Sequence, residues 1–301
     1  MTEESKKLYI GTAGWSYKDW YGIVYPEPRP RGFSEPLYLA QFFNVIEINT
    51  SFYHIPSMKM TERWARLVGD IPDFLYVMKL WQGFTHDRSM LEDDSVGNFR
   101  DGLEPLVDAD RLGCVLVQFP WSFRYTPEHW DWMRELVEVF GRYPLAIEMR
   151  HVSWVRDKYL DLLKETGVAF CNIDQPQFGD SLPPTDYATA EHAYVRLHGR
   201  NKAMWFQQEA GVNERYNYLY RSDELHGWVE IIRRLLGVVR RVFVITNNHF
   251  RGQAVCNALQ LKAALARQKI SIPSHLAASF PTLEDIASPG ETGEGTQLEL
   301  F

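Results

Sequence analysis

The chain has 301 residues, 45% of them hydrophobic and 24% charged, a balance that excludes wholesale disorder and supplies enough material for one barrel-sized core. A formal net charge of -7 argues against gripping nucleic acid through a bulk field, so no direct bulk nucleic-acid binding is expected. The first seven residues are polar and charged and no apolar run reaches spanning length, so a cytoplasmic location without a membrane partner is the expectation.

In chain order, short apolar runs rich in β-formers occur at residues 8–13, 45–49, 74–80, 114–119, 145–150, 168–173, 193–199 and 242–247. Each reads as a strand. Helical spacing lies between most of them: Trp130, Met133, Leu136, Val137 and Phe140; then Leu225, Trp228, Ile232 and Leu236; then Ala254, Ala258, Leu261 and Leu265. Thr126 before Pro127 reads as an N-cap with proline at the first helical position. Alternating strands and helices imply a parallel sheet, and eight of them point to an α/β fold, a single (β/α)8 TIM-type barrel. The alternative, an open doubly wound sheet, is expected to carry a glycine-rich phosphate turn after its first strand, and Gly14-Trp15-Ser16-Tyr17 is not that fingerprint.

The connection after strand six is expected to be irregular, because Pro176, Gly179, Pro183 and Pro184 interrupt it. Cys114, Cys171 and Cys256 are too few and too dispersed for a disulfide framework and read as buried reduced thiols. Residues 281–286 allow a short final turn, and SPGETGEGT from Ser288 reads as a solvated linker. The expected division is a barrel over 1–275 and a flexible tail over 276–301.

Charged residues inside apolar barrel strands are costly unless paired or used, and barrel enzymes keep their sites at the C-terminal strand ends. Almost every strand offers a polar residue there: Glu47 and Asn49, Lys79, Gln118, Glu148 and Arg150, Asn172 and Asp174, Arg196, His198 and Arg200, then Thr246, Asn247 and Asn248 with His249 beyond. Glu47, Glu148 and His198 are the acid–base candidates. Asn49, Tyr53, His54, Lys79, Gln118, Arg150, Arg196, Arg200, Asn247 and Asn248 are candidates for binding substrate, with the arginines suited to a phosphate or carboxylate. The same residues allow a purely structural set of ion pairs, such as Glu47 with Arg196 and Glu148 with Lys79. Trp15, Tyr17, Phe52, Tyr53, Trp81, Trp121, Trp154, Trp205 and Tyr216 follow the strands and favour stacking on a sugar or base. Glu47, His54, Glu148, His198 and His249 could supply metal ligands across the mouth, but no local spacing marks a metal site, and no nicotinamide, flavin or nucleotide-triphosphate motif marks a cofactor.

Several segments resemble the YecE-like family, domain of unknown function 72. They are GTAGWSYKDWYG at 11–22 with Tyr25-Pro26, FNVIEINTSFYHIPS at 43–57, LGCVLVQFPWSF at 112–123, AIEMRHVSW at 146–154, YVRLHGR at 194–200 and Asn247-Asn248-His249. The resemblance spans about residues 8–268 and implies a TIM-type barrel with no established reaction. The family motifs fall on most of the candidates above. The last five residues, Gln297-Leu298-Glu299-Leu300-Phe301, resemble a bacterial sliding-clamp-binding peptide, in which Gln297 fixes register while Leu298, Leu300 and Phe301 meet the partner.

The expectation is an acid–base enzyme, a hydrolase or isomerase, acting on a small anionic, ring-containing or nucleotide-like substrate. The clamp would link it to DNA replication or repair. The alternative is a non-catalytic accessory or binding protein recruited to the clamp by its tail.

Overall fold

A computed structural model describes residues 7–88, 91, 94–205 and 212–293. Eight strands close into a parallel barrel in sequence order: β1 (Lys7–Ala13), β2 (Val45–Ile48), β3 (Leu75–Lys79), β4 (Leu112–Gln118), β5 (Leu145–Glu148), β6 (Ala169–Asp174), β7 (His192–Leu197) and β8 (Arg241–Thr246). β1 pairs with β2 on one side and β8 on the other, which completes the ring. The apolar runs of the sequence coincide with all eight.

The helices form where apolar side chains recur at three and four. Pro127–Phe140 buries Trp130, Met133, Leu136, Val137 and Phe140, and the Thr126 hydroxyl caps it by accepting the His129 N–H at 3.1 Å. Ser222–Val238 buries Leu225, Trp228 and Ile232 in the same way. Between β6 and β7 no helix forms. Asn172 pins that connection instead: it accepts from the Thr185 hydroxyl and the Tyr187 N–H and donates to the Tyr187 carbonyl. This mouth candidate is thus spent on structure.

The interior has an apolar lower layer and a charged upper one. Tyr9 stacks on Phe243 at 5.1 Å and Tyr194 follows at 6.1 Å. Gly113 makes room for that layer, because a Cβ there would come within 2.9 Å of the Phe243 ring. On β7 and one residue past its end, His192, Tyr194, Arg196 and His198 sit two residues apart and share one face. They therefore climb from the aromatic layer to the barrel mouth. Cys114, Cys171 and Cys256 are buried free thiols.

The tail departs from expectation. β9 (Ile270–Pro273) and β10 (Ala287–Gly293) pair in parallel as a separate two-stranded sheet. Leu276 and Leu283, between them, are fully buried. A boundary at 275 therefore cuts through packed structure, and part of SPGETGEGT is strand rather than linker. Its pairing uses backbone groups, which leave no apolar signature in the sequence. Gln297, Leu298, Leu300 and Phe301 lie outside the described residues. Among the described residues no helix is long and apolar enough to cross a membrane.

Candidate functional site

Glu47 lies in β2, Glu148 ends β5 and Arg196 lies in β7. None of these strands neighbours another of the three, so their side chains can meet only across the barrel interior. Arg196 donates from Nη2 to Glu47 Oε1 at 2.6 Å and from Nε to Oε2 at 2.9 Å, and its Nη1 donates to Glu148 Oε2 at 3.0 Å. One guanidinium thus bridges two carboxylates, a geometry its planar fork suits and an ammonium does not. The Tyr194 hydroxyl donates to Glu47 Oε2 at 2.7 Å. Glu148 Oε1 accepts from Arg150 Nε at 2.9 Å and from His198 Nε2 at 3.1 Å. Asn247 donates to His198 Nδ1 at 3.0 Å. Glu47, Glu148 and His198 are wholly buried.

These contacts change the roles suggested by sequence. Burial pushes the His198 pKa down to about 3, with Arg150 and Arg196 assisting against the opposing charge of Glu148. His198 is therefore neutral near pH 7, its Nε2–H donated to Glu148 and its Nδ1 accepting. Burial by itself would raise the Glu148 carboxyl, but its His198, Arg196 and Arg150 partners hold it well below the carboxylate range. Because His198 is uncharged at neutral pH, the two arginines carry the electrostatic part and His198 supplies a neutral hydrogen bond. A carboxylate held by three donors is a poor base. Glu47 accepts two hydrogen bonds at Oε2 and one at Oε1, so it too is a carboxylate held by donors. The expected Glu47–Arg196 pair forms, while Glu148 takes Arg196, Arg150 and His198 in place of Lys79.

Lys79 is the exception. It ends β3, is 8% exposed, and holds its Nζ 3.7 Å from the centroid of the Phe52 ring. Among the described residues it makes no ion pair. Burial first, and the charge of Arg196 next, lower its pKa to about 7 against the pull of Glu47 and Glu148. The Ser51 hydroxyl donates to the Lys79 carbonyl at 2.6 Å, which fixes the strand end beneath the amine.

An aromatic rim surrounds this floor. Tyr17 stacks on His249 at 4.3 Å, His249 meets Tyr216 at 4.9 Å, and Tyr216 meets Trp205 at 6.0 Å. The Trp205 ring lies 5.6 Å from the Arg150 guanidinium carbon. Phe52, under Lys79, contacts Tyr53, which is 56% exposed on the rim. Asn49 lies beside the Tyr17 hydroxyl. Other loop aromatics serve packing: Trp154 stacks on Phe123 at 5.4 Å, and Trp81 meets Phe84 at 5.2 Å.

Not every candidate joins the floor. Arg200 grips Asp174 through Nε and Nη2 and Glu224 through Nη1, while Trp228 donates to the same Asp174. It fastens β6 to the helix Ser222–Val238 and is not free for an anion. Asn248, fully buried, donates to the Tyr218 carbonyl and to Asn257. Gln118 stands level with Glu148, but its amide donates to the Phe119 carbonyl. His54 is exposed outside the ring of contacts. With Arg200 removed, the mouth holds three basic side chains, Lys79, Arg150 and Arg196, against two carboxylates, Glu47 and Glu148. Among the described residues no three His, Cys, Asp or Glu side chains gather as metal ligands. A cleft of about 500 Å³ lined by Lys7, Asp73, Arg111, Arg142 and Arg241 opens at the opposite end of the barrel and contains none of these groups.

Sequence reasoning missed Tyr194 and Phe52 as parts of the floor. Tyr194 was accessible from strand alternation, two residues before Arg196. Phe52 was noted only among the loop aromatics, and nothing local tied it to Lys79.

A family described as "Protein of unknown function DUF72" matches residues 9–280. The UPF0759 protein YunF of Bacillus subtilis (strain 168) is 32% identical over 269 residues, covering 84% of this chain and 93% of that protein. The UPF0759 protein YecE of Escherichia coli (strain K12) is 29% identical over 147 residues, 48% of each chain. Among solved structures, the DUF72 family protein TM1631 of Thermotoga maritima MSB8 is similar with a TM-score of 0.78 and 34% identity, covering 86% of this chain and 99% of that one. The DUF72 family protein EF0366 of Enterococcus faecalis V583 has a TM-score of 0.76 and 26% identity, with coverage of 86% and 95%.

Proposed function

The chain belongs to the DUF72 family, and from that premise we propose that its barrel mouth is an acid–base catalytic site for a small anionic, ring-bearing substrate, with Lys79 exchanging the proton. The observation that carries this is Lys79 itself: a buried amine at a C-terminal strand end, with an aromatic ring for its near neighbour and its pKa near 7. A group poised at the working pH is both available to take a proton and able to return it. Glu148 and His198 act as positioning residues that orient Arg150. The terminal nitrogens of Arg150 make no hydrogen bond among the described residues and suit a phosphate or carboxylate. Trp205 and Tyr216 supply faces for a ring. The reaction class is hydrolysis or isomerisation. Metabolite capture by purified protein with mass spectrometry tests it: an anionic ring compound retained by the wild type and lost in Lys79→Met and Arg150→Met supports the site. No retained compound, or equal retention by both variants, removes it.

A second reading is an accessory protein held at a bacterial sliding clamp by Gln297, Leu298, Leu300 and Phe301. One observation favours it: the peptide pattern itself. Fluorescence titration of the tail peptide against purified clamp decides it. Micromolar binding abolished by Gln297→Ala with Phe301→Ala supports the tether, and binding that survives both changes sinks it.

A further inference from the structure

We propose that Lys79 forms a covalent imine with the carbonyl carbon of an aldehyde or ketone that also carries an anionic group, a step that rests on the mouth being the site described above. The first ground is position. Lys79 is the only buried lysine among those described. Lys7, Lys18, Lys59, Lys158, Lys164, Lys202 and Lys269 are exposed, and Lys262, half-buried, donates to the Phe42 carbonyl. The second is what surrounds the amine. The carboxylates that would pin it as an ammonium, Glu47 and Glu148, are already engaged by Arg196, Tyr194, Arg150 and His198. Its near contact is instead the Phe52 ring at 3.7 Å, whose face holds an ammonium less strongly than a carboxylate would. An amine withdrawn from water and crowded by arginines sheds its proton and becomes a nucleophile. The third is the partner for the anion, the Arg150 guanidinium beside the Trp205 ring.

The chemistry needs no redox partner. The neutral Nζ lone pair attacks the carbonyl carbon, the C–N bond forms and the C=O π electrons move to oxygen. The nitrogen loses a proton and the oxygen gains one through water at the mouth, giving a carbinolamine. The carbinolamine hydroxyl then takes up a proton from water at the mouth, the C–O bond breaks, the oxygen leaves as water and the nitrogen lone pair forms a C=N bond that keeps its N–H, so one proton is taken up from solvent overall. The protonated imine acidifies the neighbouring C–H, which is the kind of proton exchange an isomerase requires.

Pyridoxal 5′-phosphate is the probe, since it carries an aldehyde, a ring and a phosphate. The full-length protein is incubated with a substoichiometric amount near pH 7 and reduced with borohydride, and the modified peptides are mapped. A lysine near pKa 7 is about half neutral there, whereas an ordinary one with pKa about 10.4 is neutral in well under one molecule in a thousand. The expected result is labelling of Lys79 about tenfold or more over any other lysine, with a rate that rises through pH 7. Label spread over the exposed lysines with Lys79 unmodified overturns the proposal, and that outcome is read on the folded wild type without any variant. Lys79→Arg keeps a cation but cannot form an imine. If Lys79 is unlabelled while Lys79→Arg still loses metabolite capture, the imine falls and the acid–base site stands. If Lys79 is unlabelled and capture is unaffected by the change, both fall.

Discussion

In one part of the mouth, reached across the interior from β2, β5 and β7, Glu47, Glu148, Arg150, Arg196 and His198 satisfy one another's charges and hydrogen bonds. On the β3 side Lys79 has a ring for its near contact and carries the cost of its own desolvation. Both sides lie at the same end of one barrel and both are buried. The difference separates a network that holds the fold together from a group the fold tolerates. Removing a member of the first should weaken the protein, whereas removing Lys79 should strengthen it.

The largest effect belongs to Arg196→Met. It leaves two buried carboxylates without their shared guanidinium, and a loss of about 3–5 kcal/mol is expected. Urea unfolding monitored by tryptophan fluorescence measures it; a loss under about 1 kcal/mol would show that water reaches the network and that the two sides do not differ in kind.

Acid should separate the sides next. Burial lowers His198 to about 3 and His192 and His249 to about 4, from 6.5. Between pH 6.5 and about 4 the unfolded chain binds protons that the native state refuses, so stability falls with pH by up to about 1.4 kcal/mol per unit for each histidine. Glu148, held low, adds a further loss below its ordinary carboxyl range. Urea midpoints measured from pH 7.5 to 4.5 should fall steadily, and His198→Gln should flatten the slope. An unchanged slope in that variant would mean His198 is not held neutral.

Lys79→Met should raise stability by roughly 0.5–2 kcal/mol near neutral pH. The unfolded amine keeps its proton up to about 10.5, whereas the folded one releases it near 7. Wild-type stability therefore climbs between those values, and the advantage of the variant shrinks as pH rises through them. A variant less stable than wild type at pH 7 would place Lys79 in the structural network after all. The smallest effect is Asn247→Ala, which removes the donor to His198 Nδ1 and should cost about 1 kcal/mol, visible in the same unfolding assay.

Much of this molecule was legible before any coordinate. The eight strands stood out because a barrel strand buried on both faces is a short apolar run bounded by polar residues. The Thr126 cap was visible because capping is local, decided by a hydroxyl and the N–H three residues on. The mouth residues Glu47, Glu148, Arg196 and His198 were visible because an ionisable side chain inside such a run has few places to go. The ordered stretch at 287–293 was hidden, since parallel pairing of a polar segment spends only backbone groups.

What the sequence by itself determined is therefore the set of elements and the list of polar residues carried at their ends. Only the tertiary structure decided which of those residues face one another. Alternation along a strand says that Arg196 points inward, but barrel closure sets it opposite Glu47 from β2 and Glu148 from β5, strands far away in sequence. The same closure sends Arg200, four residues on, to Asp174 and Glu224, and leaves Lys79 over Phe52. Periodicity is a property of a few consecutive residues, whereas the pairing of charges across a barrel depends on the stagger of all eight strands at once, and no local pattern encodes that.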